Sequence, residues 1–286
     1  MRNTQNWNEC NQETYCTCNT SYIIIFCTLF SLLPLLITFL NSLKTNTEII
    51  TSIFALPSAE IFKAISENFS TAWQKTYTYL FKSILVSLIG AALDCFLGAV
   101  LAYIFTYKEI KFKEFFFTLF ISVMLLPSIM GMPILVPLIR DTLGLNDTYV
   151  GYLLPMLAGG QVTALFLFRT FFGQQPKALF ENAQVEGAND FMIFFRITLP
   201  LAFPIIMYHF VGTFSSLYND YLWASLILDK NMTLMPHIKA LAENILSNQQ
   251  GALYGTYIIS AIPLAITSII SMKFFASGDF AGGMKL

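Results

Sequence analysis

Long apolar runs separated by polar breaks recur along the chain, at Tyr22–Leu40, Ser83–Phe105, Phe115–Ile139, Val150–Phe168, Ile197–Leu217 and Leu253–Met272. A run of roughly 20 apolar residues spans the hydrocarbon layer as a helix. An open strand there would leave backbone groups unpaired in lipid. The pattern therefore predicts an all-α membrane protein with six transmembrane helices. The first run lacks a basic flank and a small-residue cleavage site, so it reads as a retained anchor.

The breaks carry the orientation. Lys108, Lys111 and Lys113 follow the second run and Arg169, Lys177 and Arg196 follow the fourth, whereas Arg140 alone follows the third. Short basic loops stay on the cytoplasmic side. With six spans, both termini are then cytoplasmic, and the segment Lys44–Lys82 is external despite its own lysines. The expected organisation is a cytoplasmic N-terminus over residues 1–21, a transmembrane domain over 22–273 with a polar loop at 169–196, and a cytoplasmic tail over 274–286.

Composition agrees with a bilayer. Of 286 residues, 56% are hydrophobic and only 12% charged, with a mean hydropathy of +0.63. The net charge of −1 offers no basic face for nucleic acid. Cys10, Cys16 and Cys18 fall in the polar N-terminus, where thiols stay reduced, and Cys16-Thr-Cys18 lacks the second ligand pair of a zinc site. Cys27 and Cys95 sit in spans as small hydrophobes. No metal site is expected.

The loop from Pro176 to Pro204 is the most structured of the polar breaks. Pro176 suits a helix start and the residues from Lys177 to Glu186 are good helix formers. Gly187 suits the end of that helix, and Asn189 and Asp190 suit the start of a second one leading into the fifth run. Leu179, Ala183 and Gly187 recur every four residues, which places them on one face with two small members. Such a face fits docking by another protein, with Glu181 at its rim and Glu186 beside the glycine. The same pattern equally fits an amphipathic helix lying against the chain's own span ends.

Within the spans, Pro127, Pro133 and Pro137 interrupt the third, and Pro155, Gly159 and Gly160 the fourth. Each proline removes a backbone bond and can kink its helix. Ionisable residues at membrane depth mark polar pathways. Here they are Asp94 in the second span, His209 in the fifth, and Asp220 near its outer end with Tyr218, Asn219, Tyr221 and Trp223. This last group sets aromatic faces beside amide and carboxylate groups. A buried interhelical role fits Asp94 and His209 as well.

The run Glu181-Asn-Ala183, Glu186-Gly187-Ala188 and Ile197-Thr-Leu199-Pro200 with Pro204 resembles the cytoplasmic EAA loop of ABC importer permeases, in particular the carbohydrate group typified by the maltose permease pair. It departs at Asn182, where the family prefers alanine, and at Glu186, where aspartate is common. Ser42-Leu-Lys44-Thr45 with Glu48, Asn68-Phe69 with Ala72-Trp73, and Tyr218-Asn219-Asp220-Tyr221-Leu222-Trp223 are similar to further segments of that family, with Tyr218 in place of tryptophan. The tail, Lys273-Phe274-Phe275 with Gly278 and Gly282-Gly283-Met284-Lys285, resembles that of the second permease of the pair.

The resemblance implies a type I importer fold in a bacterial or archaeal cell membrane. It implies four protein partners: a homologous second permease, two cytoplasmic ATPase subunits and an external solute-binding protein. The first loop helix would be the coupling helix, touching an ATPase through Leu179, Glu181, Ala183, Glu186, Gly187 and Ala188. The tail would add a contact through Gly278, Gly282, Gly283 and Lys285. The substrate would be a carbohydrate, held chiefly by the other permease in the maltose system. The chain itself has no phosphate-binding loop and no Gly-Lys pair, so ATP and magnesium belong to the partner ATPases and this subunit is not an enzyme. The alternative is a self-contained secondary transporter or channel, in which the loop is a mere connector.

Overall fold

The computed structural model describes residues 2–57, 60–244 and 249–276, with side chains for 22–57, 60–243 and 249–272. Every regular element among these residues is helical. The first apolar run lies in α1 (Arg2–Ser42), followed by the short α2 (Asn46–Thr51). The second lies in α3 (Ile61–Tyr107), whose 47 residues far exceed one span. At 1.5 Å per residue it is about 70 Å long, over twice the apolar thickness of a bilayer. The external segment expected before the second run is thus a continuation of the same helix.

The third run comprises α4 (Lys113–Ser122), two 3-10 turns, α5 (Met132–Pro137) and a π-helical turn, Leu138–Thr142. The fourth is α6 (Tyr149–Phe172) and the polar loop holds α7 (Lys177–Val185). The fifth begins with α8 (Asp190–Ile193), a π-helical turn and α9 (Leu199–Leu201), and continues as α10 (Phe203–Asn219). Then come α11 (Leu222–Ile227), α12 (Leu234–Asn244) and α13 (Gln250–Ala276).

Among the described residues, four helices contain a stretch long and apolar enough to cross a membrane, and two bent helix pairs pass the same test together. Lys113–Leu125 meets Ser128–Thr142 at 93°, and Asp190–Leu201 meets Phe203–Asn219 at 75°. Counting each pair as one span gives six. The first bend falls where Leu126 adopts φ −90° and ψ 124° before Pro127, the extended conformation that a residue preceding proline prefers. The second falls at Ala202, with Pro200 before it and Pro204 in the first turn of α10. Pro155, by contrast, lies inside an unbroken α6, anchored on either side by the buried Tyr152 and Leu165.

The chain forms two compact units, Met1–Lys75 with Ala242–Ile259 and Thr76–Leu241 with Ser260–Leu286. In the smaller unit, Lys44 is fully buried and its ammonium donates to Asn41 Oδ1 at 2.9 Å and to the carbonyls of Ser52 and Ile53 at 3.2 and 2.8 Å. Burial pulls its pKa below the ordinary lysine value. Asn68 donates to the carbonyls of Ser42 and Lys44, and Gly251 admits the Asn68 amide so closely that a Cβ would lie 2.4 Å from its Oδ1. Thr45 and Glu48 form a capping box at the start of α2.

Among the described residues of the larger unit, two apolar cores lie along the same three helices. One joins Ala99, Ala102 and Phe105 of α3 to Phe168 and Phe172 of α6 and Ile205 of α10, with Phe180 of α7 and Phe194. The other joins Val86, Tyr152 and Leu217 to Ile139 and to Trp223, Ala224 and Ile227 of α11. Between them lies a polar knot. Asp94, 1% exposed, accepts from Gln161 Nε2 at 2.8 Å, meets His209 Nε2 at 2.7 Å and accepts from Thr213 Oγ1 at 3.3 Å. The helices approach closely enough for this because Gly98 faces Ala164 and Gly160 faces Asp94, where an added Cβ would lie 2.3 Å from Ala164 Cβ and from Asp94 Oδ1 respectively.

Outside the spans, Asp147 holds the loop before α6 against the one after α11. Its Oδ1 accepts from the backbone N–H groups of Asp229, Lys230 and Asn231, each at 2.9 Å, and Asn231 Nδ2 returns a bond to its carbonyl. Its left-handed backbone, φ 55°, is one that aspartate tolerates. The Asn231, Lys230 and Asp229 N–H groups hold the carboxyl below its ordinary pKa, against the opposing effect of desolvation.

Gly160→Ala is expected to lower stability by about 1–3 kcal/mol, and by less in an Asp94→Ser background, since the obstructing oxygen is then gone. Thermal unfolding of the purified protein in detergent measures both values. Asp147→Ala is expected to cost about 1–2 kcal/mol by orphaning three N–H groups. Because the folded pKa is depressed, this stabilisation is present above the ordinary carboxylate range and lost as pH falls through the folded value. The difference in melting temperature between wild type and Asp147→Ala should therefore shrink on acidification below about pH 4.

Candidate functional site

A cavity of about 830 Å³ opens within the larger unit. Its wall is built from the small and hydroxyl-bearing residues of three helices and a bend. Gly159, Gly160 and Thr163 come from α6, Gly212, Thr213, Ser215 and Ser216 from α10, Thr267, Ser268 and Ser271 from α13, and Ser128 from the bend of the third span. Tyr208 and Trp223 contribute aromatic surface, and Met132 and Met156 apolar surface. Among the described residues, no lysine, arginine, aspartate or glutamate lines it. His209 brings an ionisable ring to the wall.

The residues singled out for a substrate path separate into different roles. Asp94 is sealed behind His209 and does not line the cavity. Trp223 lines it while its indole N–H donates to the carbonyl of Tyr152 at 2.9 Å. Tyr218 is buried with its hydroxyl donating to the Ser260 carbonyl. Asp220 caps α11 by accepting from the N–H groups of Trp223 and Ala224. Asn219 is exposed and bonds back to Ser215, and the Tyr221 ring carries Lys239 over its face at 4.5 Å. The hydroxyl stripe on α10 and α13 escaped the sequence reading. Its signal was present as Ser and Thr recurring at helical spacing in runs otherwise made of large apolar residues.

At the other end of the unit, the polar loop folds as helix, turn, helix. Asn189 caps α8 by accepting from Met192 N–H at 2.8 Å. Gly187 has φ +84°, the left-handed conformation that glycine adopts readily at a helix end. Phe180 buries the inner side of α7 against Tyr107, ring centroids 4.5 Å apart. The Tyr107 hydroxyl donates to the Phe172 carbonyl and Gln175 Oε1. Lys108 pairs with Asp190 at 2.5 Å, and Arg169 pairs with Glu114 at 2.5 Å while lying over the Phe117 ring.

The six loop residues fall on both sides of α7. Ala183 and Ala188 are half-buried against the core, whereas Leu179, Glu181, Glu186 and Gly187 are exposed. Val185, 89% exposed, is an apolar outer residue that the four-residue spacing did not mark. Gly278, Gly282, Gly283 and Lys285 lie outside the described residues. Among the described residues no group of His, Cys, Asp and Glu is arranged to hold a metal ion.

Residues 95–278 match the family described as the binding-protein-dependent transport system inner membrane component. The chain is 31% identical over 257 residues to the probable ABC transporter permease protein YurM of Bacillus subtilis, covering 88% of this chain and 83% of that protein. It is 27% identical over 212 residues to the arabinooligosaccharides transport system permease protein AraQ of the same organism, covering 73% and 74%. Its fold is similar to that in the crystal structure of a bacterial ABC transporter involved in the import of the acidic polysaccharide alginate. The TM-score is 0.69 at 23% identity, over 92% of this chain and 97% of that one. Six apolar helical segments, a helical loop between the fourth and fifth, and a match over most of the sequence converge: the chain belongs to the family of inner-membrane components of binding-protein-dependent transport systems, as a permease subunit of an ABC importer.

Proposed function

We propose that this permease carries an uncharged oligosaccharide, and that α7 is where a partner ATPase delivers the work of ATP hydrolysis. The observation that carries the first half is the cavity wall. Eight Ser and Thr residues with Tyr208 and Trp223, and no lysine, arginine or carboxylate among the described lining residues, offer donors and acceptors without a fixed charge. Sugar hydroxyls need many such groups, and the flat apolar faces of a pyranose stack on aromatic rings. The naming of AraQ for arabinooligosaccharides supports the same class. An acidic sugar would call for cations that this wall does not supply.

Support for the second half lies in the exposed apolar residues Leu179 and Val185 of a helix whose inner side is locked by Phe180. A helix held rigidly from behind transmits force to α3 and α6 through Tyr107 and Phe172. Glu181 and Glu186 would ring the contact, Gly187 would allow close approach, Ala183 and Ala188 would seat α7 against its own core, and the tail from Gly278 to Lys285 would add a second contact. ATP and magnesium would be held by two ATPase subunits, with a second permease and an external binding protein completing the assembly. Both termini would be cytoplasmic, on the side of Lys108, Lys111, Lys113 and Arg169.

In proteoliposomes holding the complete transporter and its binding protein, ATP-dependent uptake should be measurable for at least one of arabinotriose, maltotriose and diacetylchitobiose, and absent for trigalacturonate. Uptake confined to the acidic trimer would refute the uncharged-sugar reading. Leu179→Asp and Val185→Asp should each weaken ATPase association by roughly 5- to 30-fold, the effect of about 1–2 kcal/mol at an interface. Copurification of the ATPase at wild-type levels with either variant would remove α7 from the interface.

A further inference from the structure

His209 is an ionisable residue in the largely apolar helix α10. It lines the cavity, yet it is only 7% exposed. Among the described residues its hydrogen bonds run through Nε2 alone, to Asp94 Oδ2 at 2.7 Å and Thr213 Oγ1 at 3.4 Å. The edge of the ring meets Phe168, with centroids 5.3 Å apart and planes at 81°. Since a carboxylate only accepts, Nε2 carries a proton in this pairing and Nδ1 is the nitrogen left over.

Asp94 is itself fixed. Gln161 Nε2 donates to Oδ1 and to the Asp94 carbonyl, and Gly160 leaves the space that the carboxylate fills. The ring is thus pinned by helices α3 and α6 while it sits on α10. A polar group held in one orientation on a cavity wall recognises a ligand without losing its own freedom on binding.

We propose that His209 is a solute-recognition residue of this permease, oriented by Asp94 so that Nδ1 pairs with one hydroxyl of a sugar in the cavity. A hydroxyl both donates and accepts, so it can satisfy Nδ1 in either ring protonation state. Thr213, on the same face one turn later, supplies a second partner for the same region of the solute. Asp94 is a positioning residue, since it touches the ring and not the cavity. The proposal rests on the carbohydrate reading above for the identity of the solute, and on the cavity geometry alone for the direction of the ring.

Two experiments on the complete reconstituted transporter test these separately. With whichever of the three neutral oligosaccharides wild type imports, His209→Ala should raise the concentration for half-maximal uptake roughly 5- to 10-fold, the loss of one neutral hydrogen bond. His209→Gln, which keeps a donor for Asp94 and adds an acceptor, should recover part of it. Asp94→Asn should raise it by less. A fall in maximal rate with the half-maximal concentration unchanged in both His209→Ala and His209→Gln would mean a merely structural histidine and would overturn the proposal.

The second experiment reads labelling in place of uptake. In a variant without the native cysteines, His209→Cys and Thr213→Cys should both react with 2-aminoethyl methanethiosulfonate, and in the presence of the imported sugar both should be protected. Failure of both to react in every nucleotide state would place this face away from the cavity and overturn the proposal, whatever the solute. Labelling at both sites without uptake of any sugar tested would instead leave the ring direction supported and fault the carbohydrate reading.

Discussion

A carboxylate within the apolar layer must be paired, because its desolvation is far too costly to leave unanswered. In the larger unit Asp94 meets that requirement with one donor from α6 and two groups from α10. The partners come from two other helices, so the pairing sets both the distance between helices and their register. The two apolar cores on either side then have little freedom. Gly98 and Gly160 are the steric counterpart, removing the Cβ atoms that would hold the helices too far apart for a 2.8 Å bond.

The same three helices run between the α7 end and the α11 end of the larger unit. Towards α7, aromatic residues dominate: Tyr107, Phe168, Phe172, Phe180 and Phe194 form a stiff apolar platform. Towards α11, Tyr152 and Trp223 close the other core, with backbone carbonyls taking up their polar atoms. The cavity lies along α6 and α10, beside the knot and bordered by His209 and Thr213. Packed aromatics and buried hydrogen bonds, which resist compression, thus lie between α7 and the cavity wall.

Much of the architecture was legible along the chain. Apolar run lengths located the spans, and Pro176, Gly187 and Asn189 located both loop helices, since helix starts and ends depend on backbone chemistry within a few residues. Pro127 and Pro200 mark real bends, but Pro155 does not, because neighbouring packing decides whether one missing bond yields. Ser42, Lys44 and Asn68 were read as two separate segments. In the smaller unit they meet, with Asn68 holding the carbonyls of Ser42 and Lys44 while the lysine is fully buried.

The site was less legible. Asp94 and His209 each stood out as ionisable residues in apolar helices, but they are 115 positions apart and nothing local announces their pairing. The aromatic and polar residues from Tyr218 to Trp223 read as one group. The fold assigns Tyr218 to a buried bond, Asp220 to a cap and Trp223 to the cavity wall. What the sequence by itself determined was everything set by neighbours on the chain: helices, their ends, the polar loop and the absence of a phosphate-binding motif. Only the tertiary structure decided which polar residue faces which, because pairing across helices depends on axial register and rotation, and a linear pattern carries neither.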